Sequence, residues 1–207
     1  MKKLEEKSQI TLIVQSMIVI ILFFICEALF LLYMNKPVFS IIGVICLLLT
    51  LLLCKLFKFN LFSFKALKRN EIVFIIISFL VIEITTYLIT TFFPLPSNQE
   101  SLSKMVDQSN LIVAIITLGI LVPIIEECIF RGVFIKVLFQ KSQRIGVIIS
   151  ILLFTFAHGP SSVTDFIIYG LPAVIYSVSY YKTKRLEIPI IIHIMNNLYA
   201  FLASFLA

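Results

Sequence analysis

Seven apolar runs, each bounded by charge or turn residues, leave this chain little choice of fold. They are Ile10–Tyr33, Val38–Phe57, Ile72–Phe93, Leu111–Phe139, Ile145–His158, Phe166–Tyr181 and Pro189–Leu206. A helix of about 20 apolar residues crosses a hydrocarbon core of about 30 Å. The chain of 207 residues is 60% hydrophobic and only 14% charged, with a mean hydropathy of +1.10. Globular domains carry about 25% charge. The expectation is all-α: a polytopic membrane helix bundle of about seven transmembrane helices, forming one membrane domain over residues 1–207. The fourth run is longer than a span needs, so it should tilt or extend beyond the bilayer. The fifth is short unless it starts near Lys141 or runs past Gly159-Pro160.

Loop charge sets the expected orientation. Lys and Arg count three in the N-terminal tail (Lys2, Lys3, Lys7), one in the first connection (Lys36) and five in the second (Lys55, Lys58, Lys65, Lys68, Arg69). The third has one (Lys104), the fourth three (Lys136, Lys141, Arg144), the fifth none and the sixth three (Lys182, Lys184, Arg185). Cytoplasmic loops hold the cationic excess, so the N-terminus should be cytoplasmic and the C-terminus external. The net charge of +6 does not point to nucleic acid, because it is distributed among these loops. The first run is too long for a signal-peptide core of about 7–15 residues and reads as a retained span. The segment Leu56–Arg69 mixes four Phe with four of these cations. It reads as an ordinary basic loop or, alternatively, as an amphipathic helix on the inner leaflet. The four cysteines, Cys26, Cys46, Cys54 and Cys128, all lie in apolar runs without CxxC spacing, so they read as small buried hydrophobes.

Against this background, Glu126-Glu127-Cys128-Ile129-Phe130-Arg131 places three ionisable groups inside the fourth run. Each costs roughly 2.5–3.5 kcal/mol on insertion scales, so intramembrane ionisable residues read as functional by default. Glu127 and Arg131, four apart, share a helix face and can pair. Glu126 lies about 100° away by the helical period and needs another partner. The candidates are few. His158 ends the fifth run and His193 lies in the seventh, with Asn197 one turn further on and Asn196 nearby. Glu27 and Glu83 also lie in spans; either lines a substrate cavity or pairs with a cation from another helix.

Glu-Glu-x-x-x-Arg on one span, Phe-x-x-x-His on the next (Phe154, His158) and His-x-x-x-Asn on the last (His193, Asn197) resemble the CAAX protease and bacteriocin-processing (CPBP, or Abi) family of intramembrane endopeptidases. That family includes the type II CAAX prenyl endopeptidases. The resemblance covers residues 111–207, which it implies are the catalytic core; residues 1–110, with three N-terminal spans, carry no motif. It implies that Glu126 and His158 polarise a water for attack on a peptide carbonyl. His193 and Asn197 would then stabilise the oxyanion, while Glu127 and Arg131 form a supporting ion pair. No cofactor is expected on this reading. The competing chemistry is a zinc site with Glu126, His158 and His193 as ligands and an open fourth position, although no His-Glu-x-x-His is present.

The expected function is therefore an intramembrane endopeptidase acting on a peptide or membrane-protein tail within the lipid bilayer. Richness in Ile, Leu, Phe and Lys without Trp suggests an AT-rich bacterial genome. Bacteria generally lack protein prenylation, so a peptide signal, bacteriocin precursor or membrane-protein tail is the expected substrate. The alternative is a non-catalytic membrane protein of the same fold, serving bacteriocin self-immunity or partner binding. A small transporter would show paired halves with interrupted helices, and no internal repeat is visible. One tension remains in the span model. His158 falls about 20 Å into its run at 1.5 Å per residue, deeper than Glu126 and His193.

Overall fold

The computed structural model describes residues 4–32, 36–94, 96 and 110–206. After a short 3-10 turn at Leu4–Glu6, the described residues form seven helices and no strand: α1 Gln9–Leu32, α2 Pro37–Leu56, α3 Arg69–Phe92, α4 Leu111–Leu138, α5 Gln143–Ala157, α6 Val163–Thr183 and α7 Glu187–Leu206. This is the all-α polytopic bundle expected from the apolar runs. Five of the seven are long and apolar enough to cross a membrane; α5 and α7 are shorter apolar helices. Exposed Met17, Leu48, Ile77 and Leu88 belong to an apolar outer surface, as a lipid-facing bundle requires.

Helix ends overrun the apolar runs where polar side chains cap them. Glu71 accepts the Lys68 backbone N–H at 2.8 Å, which starts α3 three residues before Ile72. Ser162 accepts the Asp165 N–H at 3.0 Å and starts α6. The fifth run reaches neither Lys141 nor Pro160. It begins at Gln143, and Gly159 ends it at φ +62°, a left-handed conformation that costs glycine little. That stop leaves His158 as the C-terminal cap of α5.

α4 is the axis of the bundle, and α1, α5, α6 and α7 pack against it. It is not α-helical throughout. Thr117–Leu121 and Cys128–Leu138 are π-helical, the wider-turned form often found at functional sites. Wider turns rise less per residue, so this long run is more compact than its residue count implies. α2 packs on α1, away from the axis, while α3 packs on α6 and α7. One continuous core joins the two halves of the chain: Phe23, Cys26 and Phe30 of α1 share it with Ile125, Ile129, Tyr176 and Ile192. Cys26, Cys46, Cys54 and Cys128 are free thiols.

Hydrogen bonds gather four basic segments at one end of the bundle. Lys7 donates to the Phe57 carbonyl, Gln140 to the Leu4 carbonyl, Lys184 to Gln143, and Lys136 to the Asn60 carbonyl. The segment between Leu56 and Arg69 contains no helix, so the basic-loop reading holds and the amphipathic helix does not. Phe59 and Leu61 are buried. Arg185 donates to the carbonyls of Lys65 and Ala66, while Glu187 accepts from Ser63 N–H at 2.6 Å, Ser63 Oγ at 2.8 Å and Phe64 N–H at 2.6 Å. The third connection, with Lys104, lies outside the described residues, as do Lys2 and Lys3.

Candidate active site

The centre of the bundle holds a chain of charged groups running from α4 to α7. Arg131 and Glu127 are fully buried, and Arg131 Nη1 donates to Glu127 Oε1 at 2.8 Å. Every nitrogen of the guanidinium has a partner: Nε donates to Ser177 Oγ at 3.2 Å and Nη2 to the Ala173 carbonyl at 3.0 Å, both on α6. Its carbon lies 4.6 Å from the centre of the Phe154 ring and 5.4 Å from that of Tyr176. A buried arginine is tolerable on these terms, since its charge is paired and its donors are engaged.

Glu127 Oε1 also faces His193 Nδ1 at 3.1 Å, and His193 Nε2 faces Glu126 Oε2 at 3.5 Å. One imidazole of α7 is therefore inserted between two consecutive carboxylates of α4. Glu126 does diverge from Glu127, and the partner it meets is the opposite nitrogen of the same ring. A neutral imidazole has one N–H. With Nδ1 directed at Glu127, Nε2 is the nitrogen that faces Glu126. Glu126 is the more open carboxylate, with a side chain 13% exposed against 0% for Glu127.

Asn197 lies one turn beyond His193. Its Nδ2 donates to the Leu118 carbonyl at 2.9 Å, using one of the two amide hydrogens and fixing the direction of the other. The close approach depends on Gly119, where a Cβ would stand 2.5 Å from Leu198. Glycine in the first π segment thus lets α7 lie against α4 at this height.

His158 belongs to the edge of the same cluster. Its Nδ1 lies 2.8 Å from the Phe154 carbonyl. A carbonyl only accepts, so Nδ1 carries the proton and Nε2 is left as a lone-pair acceptor. The ring packs 4.5 Å from Phe154 and 4.7 Å from Tyr169. Phe154 in turn meets His193 at 5.8 Å and Phe130 at 5.2 Å. His158 is therefore only one turn beyond the aromatic that touches the charged chain, which removes the depth tension of the span model. Glu126 and His158 make no hydrogen bond to each other.

Several contributors had no motif to announce them. Ser177, the Ala173 carbonyl and Tyr176 come from α6, whose only sequence signal was unusual polarity for a span. Glu27 of α1 stands within electrostatic range of Glu126, so it belongs to the surroundings of the site. Glu83 of α3 has a buried carboxylate oxygen without a partner. Among the described residues, no three His, Cys, Asp or Glu side chains converge on a metal position.

With this geometry in hand, the chain can be compared with known proteins. Residues 108–199 match the family model of Rce1-like type II CAAX prenyl endopeptidases. The likeness read from the three motifs is thereby borne out, and the matched stretch contains all seven motif residues. The chain is 26% identical over 107 residues to the UPF0177 protein YvdC of Lactococcus lactis, covering 51% of this chain and 40% of that one. It is 37% identical over 86 residues to the membrane-embedded CAAX protease MroQ of Staphylococcus aureus, covering 38% of this chain and 34% of that one. The matched part thus spans well under half the length of these curated relatives. No solved structure matches. Together with the apolar helices, these likenesses make the chain an integral membrane protein that is similar, over residues 108–199, to Rce1-like endopeptidases.

Proposed function

We propose that this protein is an intramembrane endopeptidase that cleaves a peptide or membrane-protein tail with a water activated by glutamate and histidine. The observation that carries the proposal is the buried chain Arg131–Glu127–His193–Glu126, lying within the Rce1-like stretch. A purely structural ion pair would end at Arg131 and Glu127. Here a second, more open carboxylate faces the other nitrogen of the same imidazole at 3.5 Å, an arrangement suited to a general base.

The roles follow from hydrogen-bonding capacity. Glu126 takes a proton from the attacking water, and the Nε2 lone pair of His158 receives the same water from the other side. His193 donates through Nε2 once Glu126 has taken that proton, and the second amide hydrogen of Asn197 joins it on the developing oxyanion. Glu127 and Arg131 hold the imidazole and the carboxylate in register. Metal is not needed in this scheme. The N-terminus is cytoplasmic and the C-terminus external, and the substrate is a bacterial peptide signal, bacteriocin precursor or membrane-protein tail, consistent with the likeness to a relative named as a membrane-embedded CAAX protease.

The test is cleavage of internally quenched peptides with an apolar C-terminal half by the full chain in lipid nanodiscs. Glu126→Gln should abolish cleavage and His158→Ala should reduce it at least about 10²-fold, within the usual range for general acid–base groups. Strong chelators should leave the wild-type rate unchanged. Stoichiometric zinc, with activity lost on its removal and restored on its return, would overturn the metal-free mechanism. Full activity in both variants would replace the peptidase with the immunity or partner-binding reading.

A further inference from the structure

Around Glu126 nearly every hydrogen-bond donor already has a partner. The three guanidinium nitrogens of Arg131 are engaged, Asn197 holds the Leu118 carbonyl, and both nitrogens of His193 face carboxylates. Tyr176 is the exception. It is fully buried, and its hydroxyl has no hydrogen-bond partner. Its ring lies 4.6 Å from that of His193, tilted by only 22°, and carries the Arg131 guanidinium at 5.4 Å.

The same region holds one more unpartnered atom. Glu127 Oε2 is the unused oxygen of the carboxylate that binds Arg131 and His193. Interiors pair about nine in ten of their buried polar groups. Glu127 Oε2 and the Tyr176 hydroxyl are two such orphans, from two helices, on side chains that both meet the His193 ring. Tyr176 supplies the O–H among them, on a ring clamped between an imidazole and a guanidinium, with little freedom to turn elsewhere.

We propose that Tyr176 is a further catalytic residue, whose hydroxyl donates a hydrogen bond to the carbonyl oxygen of the scissile peptide as it becomes an oxyanion. This rests on the peptidase reading. The hydroxyl is left unbonded in the free protein and is satisfied by substrate. Tyr176 therefore works beside His193 and Asn197, whose hydrogen bonds within the protein limit what each can offer.

The test is Tyr176→Phe in the full chain, in nanodiscs, with the quenched apolar peptide as probe and thermal unfolding measured in parallel. The ring stays, so the packing on His193 and Arg131 stays. Loss of an oxyanion donor should lower kcat by about 10²–10³-fold with KM within twofold. The thermal midpoint should stay level or rise, since removing an unpaired buried hydroxyl removes no bond. A kcat within threefold of wild type, or a clearly lowered midpoint, overturns the assignment; the latter means that the hydroxyl has a structural partner. Glu126→Gln separates the two levels. If it is dead while Tyr176→Phe is fully active, only the tyrosine proposal fails. If it is also active, the peptidase reading fails. If no peptide is cleaved by the wild type, the midpoint alone decides, and a lowered one rejects the reserved donor.

Discussion

Arg131 sets the terms for every residue near it. A fully buried guanidinium must be neutralised, and Glu127 neutralises it at 2.8 Å. Glu127→Gln should therefore destabilise the protein by about 3–5 kcal/mol, the usual result of leaving one buried charge alone. A lowered unfolding midpoint and poor yield would report it. Glu126→Gln strands no cation, so its midpoint should lie close to wild type while cleavage is lost. A swap of these two phenotypes would reverse the roles of the carboxylates. The pair was legible in the sequence because i,i+4 spacing is local. The position of His193 was not, because it lies 66 residues from Glu127 and only packing brings it there. The helical period correctly separates the directions of Glu126 and Glu127. It cannot foresee a ring wide enough to meet both.

At the scale of elements, continuous apolarity located all seven helices to within a few residues, since a span must bury its backbone bonds internally. The same property hid the π segments of α4. A helix apolar on nearly every face gives no periodic signal that distinguishes α from π. The segment from Leu56 to Arg69 shows the converse limit. Its composition suited either a helix or a loop, and long-range partners decide the matter. Lys58, Asn60 and Phe64 take left-handed conformations, uncommon for residues with a Cβ, and Glu187, Arg185 and Lys136 hold the backbone there. Glu187 opens α7, the helix that carries His193 and Asn197. Glu187→Ala removes three acceptor contacts to Ser63 and Phe64 and should release the loop. Trypsin should then cut after Lys65 and Lys68 about tenfold faster, with helical circular dichroism unchanged. An unchanged cutting rate would mean that Arg185 and Lys136 suffice to hold it.

For the whole molecule, the motifs marked only the second half, yet the first half is not an appendage. α1 packs along α4, its Phe23, Cys26 and Phe30 enter the common core, and its Glu27 acts on Glu126. These features are invisible to a motif because apolar packing tolerates many sequences. Topology is where sequence and structure constrain each other most tightly. Charge counts alone predicted that the N-terminal tail and the second, fourth and sixth connections share one side. Hydrogen bonds such as Lys7 to Phe57, Lys136 to Asn60, Lys184 to Gln143 and Arg185 to Ala66 tie these segments together at one end. On the proposed topology all seven helices cross, so the two termini face opposite sides, and the cationic excess would put the tied end in the cytoplasm. A reporter active only in the cytoplasm should work when fused before Met1 and fail after Ala207, while one active only outside should do the reverse. If both termini report the same side, then α5 or α7, the two short helices, enters the membrane without crossing it. The active site would then sit in a re-entrant element, not between spans.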